Sequence, residues 1–168
     1  MIYIPLNEQT VETPELLLTV GISGCGKTTY VMNNYGDYEN LNLDDIRGSL
    51  ESVNDQTLTP QAVRIMNHML THAISYRKNI VISNTNLNIR YINQYIERAE
   101  GYKVTILCFD DSYDPQLCIS RVRNAIALGE DRSNTPPHVI NRMAEQYVEL
   151  MKVLDGIRQT EMLKVIHV

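Results

Sequence analysis

Short apolar runs alternate along this chain with segments in which apolar residues recur at helical spacing. Residues 16–20, LLLTV, form an apolar run without alternation, which is typical of a parallel strand buried on both faces. A glycine-rich turn follows that run at once. Further strands are predicted at 38–43, 80–82, 103–109 and 163–168, and the strand at 38–43 ends in Asp44 and Asp45.

Helices are predicted between these strands. The clearest begins at Thr59 and Pro60, which supply an N-cap and a first-turn proline, and extends to about Arg77. Others are expected at 27–34, from a cap at Asn88 to residue 99, from 114 onward and from 135 to about 151. This alternation predicts an α/β fold, with a central parallel sheet of about five strands flanked by helices and ligands at the carboxyl ends of the strands.

Length and apolar runs limit the class of protein. The 168 residues suit a single domain, which we assign to 14–168, preceded by an N-terminal segment at 1–13. The longest apolar runs fall far short of the roughly 20 residues that span a bilayer, so no membrane partner is expected. The N-terminus lacks the basic start and apolar run of a secretory signal, which predicts a cytoplasmic location.

Charge and cysteine content narrow the function further. Fifteen basic and 20 acidic side chains give a net charge of −5, so any nucleic-acid contact must be confined to a local groove. Cys25, Cys108 and Cys118 are odd in number and form no C-x-x-C pair. Reduced thiols are therefore predicted, rather than disulfides or a zinc site.

The turn after the first strand, GISGCGKT at 21–28, fits the P-loop pattern and lies between a strand and a helix, as that motif requires. Its backbone N–H groups and the following helix end attract phosphate. Lys27 should reach the β- and γ-phosphates of ATP or another NTP, and Thr28 should ligate Mg²⁺. The alternative is a glycine-rich turn without a ligand. The predicted nucleotide-binding residues of the loop are Gly21, Ser23, Gly24, Cys25, Gly26, Lys27, Thr28 and Thr29.

The segment NLDDIR at 42–47 decides the acceptor, because a P-loop alone does not specify a reaction. Asp44 could accept the proton of an attacking hydroxyl, and Arg47 could project beside it toward a substrate phosphate. The alternative is an N-cap aspartate with Arg47 in a surface ion pair.

These motifs together resemble the phage-type polynucleotide 5′-kinases, the kinase half of polynucleotide kinase–phosphatases. The resemblance covers roughly 16–150 and rests on GISGCGKT, LNLDDIR, SNTNLN at 83–88, and RVRN followed by PPHVI at 136–140. It implies a P-loop kinase acting on 5′-hydroxyl ends of DNA or RNA, with Asp44 as general base and Arg47 holding the acceptor's 3′-phosphate. Asn84, where the family has Asp, and Thr85 would contact the acceptor; capping the next helix is the alternative.

The resemblance also implies a lid whose arginines bind the donor phosphates. Arg121, Arg123 and Arg132 flank the polar stretch 129–137. Arg123 matches the family pattern best and is assigned a catalytic role; Arg132 is chosen as the second lid arginine. A closing cation would stabilise the charge of the transferring group. A solvated basic helix face is the alternative.

Two other functions fit the same motifs. One is a P-loop kinase of a small metabolite or nucleotide, in which Arg47 grips a different anion. The other is a noncatalytic, nucleotide-gated binding module, favoured by Asn84 but opposed by Lys27, Thr28 and Asp44. A D-x-D-G-T-type phosphatase motif is missing from the sequence, so 3′-end removal would need a separate phosphatase, and a ligase is a further expected partner. The oligomeric state stays open, a homo-oligomer included.

Overall fold

The computed structural model describes residues 12–168. Most of the predicted N-terminal segment, namely 1–11, lies outside the described residues. Across 12–168 no helix has the length and apolar character needed to cross a membrane.

Within residues 12–168, five parallel strands form one sheet, which confirms the predicted fold class. They are β1 (Glu15–Val20), β2 (Glu39–Leu41), β3 (Ile80–Ile82), β4 (Lys103–Cys108) and β5 (Leu163–His167). Their order across the sheet is β2-β3-β1-β4-β5, so the first strand in sequence lies at the centre. All strands point the same way, and the carboxyl ends therefore share one edge.

In the described part of the chain six helices connect the strands: α1 (Lys27–Asn34), α2 (Leu43–Leu50), α3 (Thr59–Ser75), α4 (Ile89–Arg98), α5 (Pro115–Ala127) and α6 (Pro137–Leu154). Short 3₁₀ turns lie at Gln56–Leu58 and Asp110–Tyr113. Asn88 caps α4 as predicted, its side chain accepting a hydrogen bond from Arg90 N at 2.9 Å. Asp114 caps α5 by accepting from Leu117 N at 3.1 Å.

The core lies on both faces of the sheet, as the apolar strands predict. Leu16 and Leu18 of β1 are fully buried in the main cluster. Leu17, between them in sequence, packs on the opposite face with Val81 and with Val31 of α1. Successive side chains of a strand point to opposite faces, so helices must cover both sides.

The predicted end of the second strand is wrong. β2 stops at Leu41, and Leu43 already begins α2, so Asp44 and Asp45 lie in the first turn of a helix. Asn42 ends the strand because its side chain accepts from Asp45 N at 3.1 Å and thereby caps α2. Acidic residues in a first turn are favoured by the positive end of the helix dipole.

Candidate active site

A cavity of about 700 Å³ opens at the carboxyl edge of the sheet. It lies between the P-loop, the start of α2, the end of β3 and the segment that precedes α6. Most of the predicted site residues line it together: Ser23, Gly24, Gly26, Lys27, Thr28, Thr29, Asp44, Arg47, Asn84, Thr85 and Arg132. Gly21, Cys25 and Arg123 do not line it.

Two glycines give the P-loop its shape for different reasons. Gly24 has φ +84°, and a Cβ there would meet the carbonyl oxygen of Cys118 in α5 at 2.4 Å. Gly26 has φ +99° but open space where its Cβ would be. Positive φ suits glycine, so both positions favour it, yet only at Gly24 does the loop also pack closely on a neighbouring element.

Lys27 points back into the loop. Its Nζ donates to Gly21 O at 3.0 Å and to Ile22 O at 2.7 Å, and lies 3.5 Å from Cys25 Sγ. The ammonium group is thus held inside the turn that would surround a phosphate. Gly21 and Cys25 are buried behind this surface, which explains why they do not line the cavity.

The start of α1 offers free donors beside Lys27. Gly26 is its N-cap and supplies no side-chain hydrogen bond, so the first-turn N–H groups, which a helix cannot satisfy itself, face the cavity edge. Thr28 is exposed in that turn. Backbone donors, one lysine and a hydroxyl could hold the phosphates of a nucleotide, and Thr28 is the residue of this turn that could ligate Mg²⁺.

Asp44 and Arg47 face each other on α2. A guanidinium nitrogen of Arg47 contacts Asp44 Oδ1, and Arg47 also donates through Nε to Val53 O at 3.2 Å and through Nη1 toward Thr59 Oγ1 at 3.4 Å. The side chain of Arg47 is 7% exposed and that of Asp44 46%. The alternative of an N-cap aspartate with a surface ion pair is therefore wrong in both parts: Asn42 is the cap, and the arginine is buried.

Amide side chains hold the start of α2 in place. Asn84 Oδ1 accepts from Leu43 N at 2.9 Å, while Asn42 Nδ2 donates to Ser83 O at 2.9 Å. Both bonds tie the helix that carries Asp44 to the end of β3. Partial desolvation, with the like charge of Asp44, raises the pKa of Asp45, whose side chain lies outside the cavity.

The loop after β3 also braces the P-loop. Thr85 O accepts from Gly21 N at 3.0 Å. Asn86 is buried with φ +47°, and its Nδ2 donates to Thr19 O at 2.8 Å and Ile82 O at 3.1 Å. Asn86 is thus structural, whereas Thr85 lines the cavity. The Asn-rich sequence of this loop indicates a structural role, but only the fold shows that Asn86 has it and that Thr85 faces the cavity.

The segment 129–136, which we call the lid segment, extends across the cavity. Arg132 approaches Ser23 Oγ of the P-loop with one guanidinium nitrogen at 3.5 Å, and its Nε is buried without a hydrogen-bond partner within the described chain. Asn134 N donates to Asn54 Oδ1 at 2.8 Å. Asn54 and Asn134 are 80 positions apart, and no local sequence pattern indicates their contact, so neither was predicted from the sequence.

Arg121, rather than Arg123, reaches the cavity from α5. Arg121 donates to Gly24 O at 3.3 Å and Asp111 Oδ2 at 2.8 Å, whereas Arg123 is exposed on another side of the helix. Side chains two positions apart on a helix point in different directions. The buried positions Cys118 and Val122 could have indicated this face. A catalytic role for Arg123 stays a prediction.

The three cysteines are free and buried, as expected for reduced thiols. Burial raises the pKa of Cys118 to about 11 and that of Cys108 to about 12. Little thiolate forms at neutral pH, so neither thiol is set up as a nucleophile.

Comparisons with known proteins identify a family and distant relatives of the chain. A family model described as an AAA domain matches residues 16–150. A protein of Autographa californica nuclear polyhedrosis virus, named as a bifunctional polynucleotide kinase/RNA ligase, is 26% identical over 162 residues. That match covers 86% of this chain but 22% of the relative, so the chain spans less than a quarter of the relative's length.

Solved structures share the fold at low identity. The structure of the Pnkp1/Rnl/Hen1 RNA repair complex matches with a TM-score of 0.69 at 19% identity, covering 87% of this chain and 48% of that one. The PezAT chromosomal toxin–antitoxin system of Streptococcus pneumoniae matches with a TM-score of 0.59 at 15% identity, covering 93% and 68%. The family match over most of the chain shows that this protein belongs to the AAA domain family, with the fold of a P-loop kinase.

Proposed function

We propose that this protein transfers the γ-phosphate of ATP or another NTP to the 5′-hydroxyl end of DNA or RNA, as part of nucleic-acid repair. The observation that supports it is a single cavity lined on one side by Lys27 of the P-loop and on the other by Asp44 and Arg47. The residues proposed to bind the donor and the acceptor thus line the same cavity. Phosphoryl transfer requires this, because its catalysis is mainly positioning and electrostatic stabilisation.

The donor side consists of positive groups around the P-loop. Lys27 and the first-turn N–H groups of α1 would bind the phosphates, and Arg132 would neutralise the transferring group from the lid segment. Mg²⁺, held by Thr28, would offset the phosphate charge. Arg121, which already donates to Gly24 O, is a second candidate for the contact with the transferring phosphate and is preferred to the exposed Arg123.

The acceptor side is the start of α2. Asp44 would hold the 5′-hydroxyl and take its proton as the oxygen attacks, and Arg47 would bind the phosphate on the acceptor's 3′ side. Both carboxylate and guanidinium already line the cavity. Asp44 and Arg47 contact each other, so an acceptor phosphate would have to share or replace the Asp44 contact of Arg47.

Two similar proteins support the choice of acceptor. One is named as a polynucleotide kinase/RNA ligase, and the other belongs to an RNA repair complex with further protein components. We propose by extension that this kinase works with a ligase or a phosphatase, encoded separately or in a longer chain. The chain spans only part of both proteins, so their joint activities are not transferred to it.

The decisive test measures transfer of labelled γ-phosphate to a 5′-hydroxyl oligonucleotide, with Asp44→Asn and Asp45→Asn as a matched pair. Loss of the general base should lower kcat of Asp44→Asn by about 10²–10⁴-fold while the affinity for ATP changes little. Asp45 lies outside the cavity, so Asp45→Asn should behave like wild type. Weak ATP binding by Asp44→Asn would indicate a metal ligand instead. An inactive wild-type protein would contradict the proposed function.

A second candidate is a kinase of a small metabolite. The burial of Arg47 favours it, because a guanidinium held by Asp44, Val53 and Thr59 could serve only to orient Asp44. A gluconokinase from Sinorhizobium meliloti shares the fold with a TM-score of 0.50 at 16% identity, covering 93% of this chain and 83% of that one. The effect of Arg47→Ala on acceptors with and without a 3′-phosphate separates the two candidates.

A further inference from the structure

A second cavity, which we call the side groove, lies between α3, α4 and α6. Its volume is about 900 Å³, within the range of ligand pockets. Leu43, Asn84, Thr85 and Met143 line both this groove and the active-site cavity. The side groove therefore adjoins the acceptor end of the site, next to Asp44, rather than the donor end at the P-loop.

The walls of the side groove combine exposed apolar side chains with amides. Val63, Tyr91 and Val153 line it while 36%, 55% and 49% exposed. Exposed apolar groups gathered in one cavity indicate a binding surface more than singly scattered ones do. Amide side chains from α3, α4 and α6 complete the lining: Asn67, Asn88, Gln94 and Gln146. An aromatic ring together with amide donors and acceptors suits a flat, polar-edged ligand such as a nucleobase.

The charges of the two cavities differ. Lys27, Arg47, Arg121 and Arg132 line the active-site cavity, as does Asp44. The only cation among the described residues of the side groove is Arg98, whose guanidinium already donates to Asn67 Oδ1 at 2.7 Å and Thr71 Oγ1 at 2.9 Å. Glu145 and Glu149 face the same groove from α6. The side groove therefore attracts phosphate less than the active-site cavity does, and suits the uncharged part of a ligand better.

We propose that the side groove binds the nucleobases of the acceptor's 5′-terminal nucleotides, with Tyr91 as the ring on which a base stacks. This inference rests on the proposed kinase function. The 5′-hydroxyl at Asp44 and the phosphate at Arg47 would stay in the active-site cavity, while the bases would enter the side groove that adjoins it. Unpaired bases are required, because stacking on a side chain needs a base that is free of its own strand partner.

The first test compares two oligonucleotides of equal length and charge, one with bases at its first three 5′ positions and one abasic there. Wild type should prefer the base-bearing acceptor by roughly tenfold in kcat/KM. Tyr91→Ala should lose most of that preference, and Tyr91→Phe should keep it because the ring stays. Tyr76, 69% exposed at the end of α3 and outside the groove, offers Tyr76→Ala as the matched control with wild-type preference.

A second test does not depend on turnover. An oligonucleotide with 2-aminopurine at its 5′ end should lose fluorescence on binding wild-type protein and ATP analogue, and should lose less with Tyr91→Ala. Equal kcat/KM for the two acceptors in wild type, or quenching unchanged in Tyr91→Ala, would overturn the base-binding assignment and leave the groove to another partner such as a protein. If the proposed kinase function is wrong, neither acceptor would be phosphorylated. The fluorescence measurement would still show whether the side groove binds bases.

Discussion

Asn84, at the edge of the candidate site, makes several hydrogen bonds within the protein. Its Oδ1 accepts from Leu43 N at 2.9 Å, and its Nδ2 donates to Met66 Sδ at 3.4 Å. Burial of Tyr95 raises the pKa of that residue, and a hydrogen bond with Asn84 opposes the shift. The amide is thus engaged within the protein, so we interpret Asn84 first as a residue that positions α2.

This interpretation predicts opposite outcomes for two substitutions at one site. Asn84→Ala leaves the first N–H of α2 without its acceptor, which should cost about 1 kcal/mol and lower kcat because Asp44 loses its position. Asn84→Asp keeps an oxygen at a helix N-terminus and should retain most activity. Steady-state kinetics and thermal melts of both variants provide the measurement. Equal damage by both would instead favour direct acceptor contact by the amide nitrogen.

Arg47 can be tested through the phosphate that it is proposed to bind. Arg47→Ala should lower kcat/KM for an oligonucleotide or a nucleoside 3′-monophosphate by roughly ten- to a hundredfold, and should affect a plain nucleoside far less. Comparing both acceptors in both proteins cancels general damage from the lost contacts to Val53 and Thr59. Equal losses on both acceptors would show that Arg47 serves only to orient Asp44, which is the small-metabolite alternative.

At the scale of elements, the P-loop and α5 behave as one packed unit. Gly24→Ala places a Cβ 2.4 Å from the carbonyl oxygen of Cys118, and the backbone of α5 cannot easily move away from it. The substitution also puts alanine at φ +84°. Gly26→Ala meets open space and carries only the strain of φ +99°. We expect Gly26→Ala to lower the free energy of unfolding by about 1–2 kcal/mol. Gly24→Ala should cost clearly more. Urea titrations of the two variants give the comparison, and equal costs would show that the loop moves away from α5.

The elements that the sequence predicted well are those with strong local signals. A strand, a P-loop and a helix follow one another from residue 15 to 34, and Asn88 and Asp114 are caps within their own helices. The end of β2 was mispredicted because Leu41 and Leu43 continue the apolar pattern. The cap at Asn42 depends partly on Ser83, which is 41 residues away. Local periodicity cannot reveal such a partner.

The same distinction holds for the candidate site. Lys27, Asp44 and Thr85 could be assigned to one cavity from motifs, since carboxyl ends of parallel strands share an edge. The burial of Arg47 could not, because Val53 and Thr59 approach it only once α2 and α3 pack together. Which of Arg121 and Arg123 reaches the cavity depends on which side of α5 packs against the P-loop.

At the scale of the whole molecule, a titratable cluster joins the last strand to the rest. His167 of β5 places Nδ1 2.8 Å from Asp110 Oδ1 and Nε2 2.9 Å from Asp155 Oδ1. The buried Tyr147 donates to Asp110 at 2.9 Å. Cys108 and Tyr113 also lie near these carboxylates, which help to raise the pKa of each. Residues after β4, at the end of α6 and in β5 thus meet at one point.

This cluster should make stability depend on pH. The hydrogen bond with Asp110 raises the pKa of His167, against the opposite effect of burial, and the bond with Asp155 raises it further. A protonated imidazole can donate to both carboxylates, whereas a neutral one has a single N–H. Below about pH 6.5 the imidazole is charged in the folded and unfolded chains alike, and its stabilising contribution is fully present. As the pH rises from there through the raised pKa, the contribution is lost.

We therefore expect the difference in Tm between wild type and His167→Gln to be largest near about pH 6 and to shrink by about pH 8. His68→Gln, at an exposed position of α3, is the control and should follow wild type at every pH. A difference for His167→Gln that stayed constant across this range would mean that the histidine is held by packing instead of charge. The pH dependence would then have to come from other groups.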